Sequence, residues 1–100
     1  MYVELYRYSF SKLVPFEEVE ASLLLALMAT ESLHGQAQVR LDASGRLDPA
    51  RHACLIDAGT PVGRDLNRLF TGFLSREFGD DLYAVERIRT RNDRPQEDYA

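Results

Sequence analysis

Two copies of one pattern predict an α+β sandwich: a four-stranded antiparallel sheet with two helices on one face. Within 100 residues, a strand-like run, a helix-forming run and a second strand-like run follow one another twice. Each helix-forming run opens at a proline and closes at a glycine, Pro15 to Gly35 and Pro61 to Gly79. Proline suits a first helical position, where its missing N–H would be unpaired anyway. Glycine takes the left-handed conformation that commonly ends a helix.

The first strand-like run, Tyr2–Phe10, is rich in aromatic and β-branched residues. Val3 and Leu5 share one face; Tyr2, Glu4, Tyr6, Tyr8 and Phe10 share the other. Glu17, Glu18 and Glu20 follow Pro15, where the positive end of a helix dipole favours them. After Gly35, Ala37, Val39 and Leu41 alternate with Gln38, Arg40 and Asp42, which predicts a half-buried second strand over Gln36–Asp42. Ala43–Arg46 reads as a turn, and Leu47–Arg51, with Pro49, as a wide hairpin connection. His52–Ala58 is the third strand. Thr60 is the expected N-cap of the second helix. In that helix Leu66, Leu69, Phe70, Phe73 and Leu74 form an i, i+3, i+4, i+7, i+8 stripe. Leu82–Thr90 is the fourth strand, with Tyr83, Val85, Arg87 and Arg89 on one side. The order β-α-β-β-α-β is that of a ferredoxin-like sandwich. One such domain fills residues 1–91, and the polar stretch 92–100 reads as a loose tail.

Composition narrows the function classes. The hydrophobic share of 45% is ordinary for a globular chain. A net charge of −4 and a pI near 5.1 argue against nucleic-acid binding, which draws most of its affinity from phosphate contacts. A local patch of Arg87, Arg89, Arg91 and Arg94 is the remaining route to it. Eleven of the twelve basic residues are arginine, consistent with a GC-rich coding bias. The single cysteine, Cys54, cannot form an intrachain disulfide, which fits a reducing compartment. Met1–Glu4 lacks a leader pattern, and the most apolar window, Ala21–Ala29, is short of the roughly 20 residues that span a bilayer. The expectation is a cytoplasmic protein that engages no membrane.

Several surfaces are candidates for function. With Val3 and Leu5 turned to the helices, Tyr2, Tyr6, Tyr8 and Phe10 would form an aromatic patch on the open sheet face. Such a patch marks a subunit contact, cover by the tail, or a ligand platform. The first helix carries Leu23, Leu24, Leu25, Leu27 and Met28, more apolar residues than one sheet-facing stripe needs. Its surplus, Leu24, Leu25 and Met28, predicts either packing on the second helix or a homodimer interface. The loop Gly59–Arg64 leads a strand into a helix N-terminus. There Gly63, Arg64 and Arg68 form a candidate anion site, while capping explains Thr60 and Pro61 without any ligand.

Other constellations read as structural. His52 and Cys54 fall short of the three or four ligands a metal needs, so no metal and no cofactor is expected. Glu4 and Glu86 could approach if the first and fourth strands are neighbours, but each is more simply paired with Arg7, Arg40 or Arg87. Acylphosphatases resemble the chain in length and order. They require a Gly- and Arg-bearing phosphate loop where this sequence has Ser11-Lys12-Leu13-Val14. RNA-recognition motifs require an aromatic, glycine-containing third strand where this one reads His52-Ala53-Cys54-Leu55-Ile56-Asp57. The sequence therefore predicts a homo-oligomeric binding or interaction domain rather than a catalyst. The competing expectation is an enzyme or binder of a small anionic or aromatic ligand. It would use the open sheet face, with Arg40, Glu4, Glu86 and His52 in polar roles, or the Gly59–Arg64 loop.

Overall fold

A computed structural model describes residues 2–91 and, within them, the side chains of residues 3–89. The tail 92–100, including Arg94, and the side chains of Tyr2 and Arg91 lie outside the described residues. The elements run β1 (Tyr2–Phe10), α1 (Phe16–His34), α2 (Gln36–Asp42), β2 (Gly45–Asp48), a 3-10 turn (Pro49–Arg51), β3 (Ala53–Asp57), α3 (Pro61–Phe78) and β4 (Tyr83–Arg91). The four strands form one sheet in the order β2-β3-β1-β4, and every neighbouring pair is antiparallel.

The helix boundaries follow the prolines and glycines. Pro15 stands at the N-cap of α1, and Thr60 caps α3 by accepting the Gly63 N–H at 2.9 Å. Gly35 and Gly79 end the two long helices at φ of 88° and 77°, where a side chain would be strained.

The predicted second strand is a helix. Gln36–Asp42 is α2, and the sheet's second strand lies later, at Gly45–Asp48, across the expected turn and the start of the expected hairpin connection. Strict alternation over seven residues misleads here because Ala, Gln, Arg and Leu are also strong helix formers. Val39 alone in this helix is buried, Leu41 is exposed, and Gln38 hydrogen-bonds Asp42 one turn on. The described residues therefore form three α-helices rather than two, with α2 against α1 and α3. Arg40 sits exposed on α2 and not on the sheet face where a polar role was expected for it.

The sheet is also turned the other way round. Tyr8 and Phe10 are buried beneath the helices, and Tyr6 packs against the same core. The open face instead shows Val3, Leu5 and Arg7 of β1, with Leu5 opposite Ile88 and Arg7 ion-paired to Glu86 at 2.7 Å. The aromatic patch predicted for that face does not exist at Tyr6, Tyr8 and Phe10. Each aromatic ring removes roughly 150–250 Å² from water, more than Val or Leu can, so burying the tyrosine side of β1 is the more favourable choice. Tyr8 meets Phe70 edge-on at 4.8 Å between ring centres, and Phe10 lies 6.3 Å from both Phe16 and Tyr83. Val14, Val19, Ala26, Cys54, Ile56, Leu66 and Leu74 complete this core.

Helix α1 packs along α3 and buries Val19, Ser22, Ala26 and Thr30. These small side chains permit a close approach, and Thr30 satisfies its hydroxyl on the Ala26 carbonyl at 2.7 Å. His34 Nε2 donates to Asp65 at 2.7 Å and ties the end of α1 to α3.

Candidate binding cleft

Helix α3 lies over β1 and leaves the helix-facing side of β4 open at Val85, which is 42% exposed. The result is a cleft of about 440 Å³ lined by Tyr6, Tyr8, Val85, Arg64, Asn67, Arg68 and Thr71. A volume in this range suits a small organic ligand.

The floor comes from the pleat. Tyr6 and Tyr8 point the same way along β1, and Val85 stands directly opposite Tyr8 on β4. The wall comes from the helical period: Arg64, Asn67, Arg68 and Thr71 are spaced i, i+3, i+4, i+7 and share one side of α3. At the base, the Tyr8 hydroxyl donates to Asn67 Oδ1 at 2.6 Å and lies 3.3 Å from Thr71 Oγ1. Asn67 Nδ2 donates to the Gly63 carbonyl at 2.7 Å and to the Asp57 carbonyl at 3.2 Å. This network is saturated and holds the floor and wall in register. Burial pushes the Tyr8 phenol above its ordinary range, so it stays a neutral hydrogen-bonding group.

Next to Tyr6, outside the cleft lining, the β1–β4 surface is strongly charged. Arg87 stands opposite Tyr6 and donates to Glu4 Oε2 from Nε at 3.1 Å and from Nη2 at 2.5 Å. Chiefly through that hydrogen bond, and also through the charges of Arg87, Arg89 and Arg64, the Glu4 carboxyl is held below its ordinary pKa. Glu4 thus feels the charge of three guanidinium groups. Arg68 makes a loose contact with Asp65 at 3.7 Å.

The structure brings together Tyr6, Tyr8, Arg64 and Arg68, which the sequence had placed on two separate surfaces. Phe10 belongs to the core. Gly63 serves close packing rather than a ligand: its N–H is taken by Thr60, and an added Cβ would run into the Asp57 carbonyl oxygen. Glu4 and Glu86 lie on opposite faces and pair with Arg87 and Arg7, as the ion-pair reading expected. His52 Nε2 donates to the Val14 carbonyl at 2.8 Å. Cys54 is buried, and burial pushes its thiol up to about 12. Among the described residues no cluster of His, Cys, Asp and Glu could hold a metal. Asn67, Thr71 and Val85 were not foreseen. The polar i, i+3, i+4, i+7 stripe beside the apolar one on α3 was the available signal.

Leu24, Leu25 and Met28 do not pack on α3. They are 58%, 55% and 56% exposed, which removes packing on α3 as their explanation. No helix is long and apolar enough to cross a membrane among the described residues. No family model, curated protein or solved structure matches the chain.

Proposed function

We propose that this chain is a small-ligand-binding domain whose cleft takes an organic anion with an apolar body. The observation that carries this reading is the joining, in one concavity, of a Tyr6–Val85 floor to a wall bearing Arg64 and Arg68. Arginine forks bind carboxylates and phosphates in bidentate fashion, and an aromatic floor gives the rest of such a molecule a dry surface. Titration of the ¹⁵N-labelled chain with phenyl phosphate tests it. Shifts are expected at the Asn67 side-chain amide, Thr71 and Val85, weakened in Arg64→Ala. Unmoved resonances at millimolar phenyl phosphate would rule the reading out.

A second reading concerns assembly. The exposed side chains of Leu24, Leu25 and Met28 on α1 favour a homo-oligomer formed through that helix. Sedimentation at micromolar concentration tests it, and a monomer there would count against it. The antiparallel order β2-β3-β1-β4 supports a ferredoxin-like sandwich in which α2 is inserted ahead of a short second strand. A buried, lone Cys54 is in keeping with a cytoplasmic site of action.

A further inference from the structure

We infer that α1 pairs with α1 of a second copy of this chain, the two helices antiparallel about a two-fold axis between Leu24 and Leu25. This rests on self-association through α1. Ala21, Leu24, Leu25 and Met28 are spaced i, i+3, i+4, i+7 and are all exposed. They lie on the side of α1 opposite its buried residues Val19, Ser22, Ala26 and Thr30. Exposure of large apolar side chains is concentrated around this helix. Leu24, Leu25, Met28 and Leu33 are on it, Leu13 shortly precedes it, and Leu41 is on α2, which packs against it. Apolar exposure gathered in this way marks an interaction surface, unlike single scattered residues.

Packing and charge both select the same helix, reversed, as the partner. About this axis Leu24 meets the partner's Leu25, and the small Ala21 meets the partner's Met28. A small side chain facing a large one interdigitates, whereas parallel pairing would stack Met28 on Met28 and leave Ala21 facing Ala21 across a gap. The patch is thus complementary to its own inverse, as a two-fold interface requires. Charge points the same way. Helix α1 carries Glu17, Glu18, Glu20 and Glu31 but no Lys or Arg. Parallel pairing would crowd Glu17, Glu18 and Glu20 of both copies at one end. Antiparallel pairing sends these groups to opposite ends, beside the partner's exposed Ser32, with Glu31 the one acid on α1 close by, and it opposes the two helix dipoles. Two turns of one helix bury less than the roughly 800 Å² per partner of a standard interface, so the dimer forms reversibly and not obligately.

Disulfide trapping on the full chain tests the arrangement, since the bond needs Cα atoms within about 7 Å of each other. Ala21→Cys and Met28→Cys are changes at exposed positions, and the native Cys54 is buried and stays out of the reaction. The two variants are mixed, treated with oxidised glutathione, and the products distinguished by mass. The mixed disulfide is expected to form at least about tenfold faster than either homodisulfide, because the helical rise sets like positions about 10 Å apart along an antiparallel pair. Sedimentation of the wild type accompanies the trapping. Homodisulfides that form as fast or faster, in a chain that sediments as a dimer, overturn the antiparallel arrangement and leave self-association through α1 standing. A wild type that stays monomeric at micromolar concentration, or a dimer in which no pairing is trapped, overturns both.

Discussion

Asn67 joins the fold to the cleft, and replacing it with alanine is the sharpest test of that arrangement. The change removes three hydrogen bonds at once, from the Tyr8 hydroxyl and to the Gly63 and Asp57 carbonyls. Asn67 and Tyr8 are both buried, so water cannot readily replace the lost partners. Thr71, at 3.3 Å, can relieve the phenol only in part. At about 1 kcal/mol net for each bond, with more for a buried group left unpaired, the loss should be about 3 kcal/mol. A domain of this size has roughly 5–15 kcal/mol in total, so the melting temperature should fall by roughly 12–24 °C. Urea unfolding followed by circular dichroism measures the loss, provided the denaturant slope is unchanged. A double-mutant cycle with Tyr8→Phe should return a coupling energy of about 1 kcal/mol for the Tyr8–Asn67 bond. A loss below about 1 kcal/mol for Asn67→Ala, or strict additivity in the cycle, would show that this network does not hold α3 to β1.

Five further outcomes follow from the same geometry. Gly63→Ala should destabilise by about 2 kcal/mol or more, although alanine is about 1 kcal/mol the better helix former, because its Cβ meets the Asp57 carbonyl; equilibrium unfolding decides the sign. Cys54, with its thiol pushed up to about 12 by burial, should resist Ellman's reagent in the native state and react only as the chain unfolds. Since the folded thiol holds its proton where the unfolded one loses it, stability should decline as pH rises above 9.0, and Cys54→Ala should remove part of that decline. Glu4 has the opposite sign: its contribution is present above 4.5 and lost as pH falls through its lower folded value, so Glu4→Gln should flatten the acid limb of the stability curve. The double substitution Leu24→Asp, Met28→Asp should cost the monomer about 1–2 kcal/mol through helix propensity and i, i+4 repulsion, and should abolish any self-association seen by sedimentation.

Local chemistry was legible along the chain wherever one residue type has few alternatives. Pro15, Gly35, Thr60, Pro61 and Gly79 mark the ends of α1 and α3, because proline, glycine and a capping hydroxyl each answer a specific backbone need. The apolar stripe of α3 from Leu66 to Leu74 faces the core as its period requires. The ion pairs Glu4–Arg87 and Arg7–Glu86 follow from opposite charges on neighbouring strands. Gln36–Asp42 was not legible, since a seven-residue amphipathic run satisfies both periods and its partners decide between them. Arg64 and Arg68 stand out in the sequence for their place near a helix N-terminus, whereas the structure groups them with Asn67 and Thr71 in one stripe that lines the cleft.

The sequence by itself determined which stretches are helical over the two long runs, where those helices start and stop, and which side of α3 is apolar. These depend on contacts within one turn or on backbone conformation at a single residue. Only the tertiary structure decided which face of β1 is covered. Alternation places Tyr6, Tyr8 and Phe10 together but is silent about the side on which the helices lie. That choice is settled by Phe70, Asn67 and Thr71, which accept the aromatic rings and the Tyr8 hydroxyl from 60 or so residues away. The same choice turned an expected open aromatic patch into the floor of a cleft and brought it beside the arginines of α3 and β4.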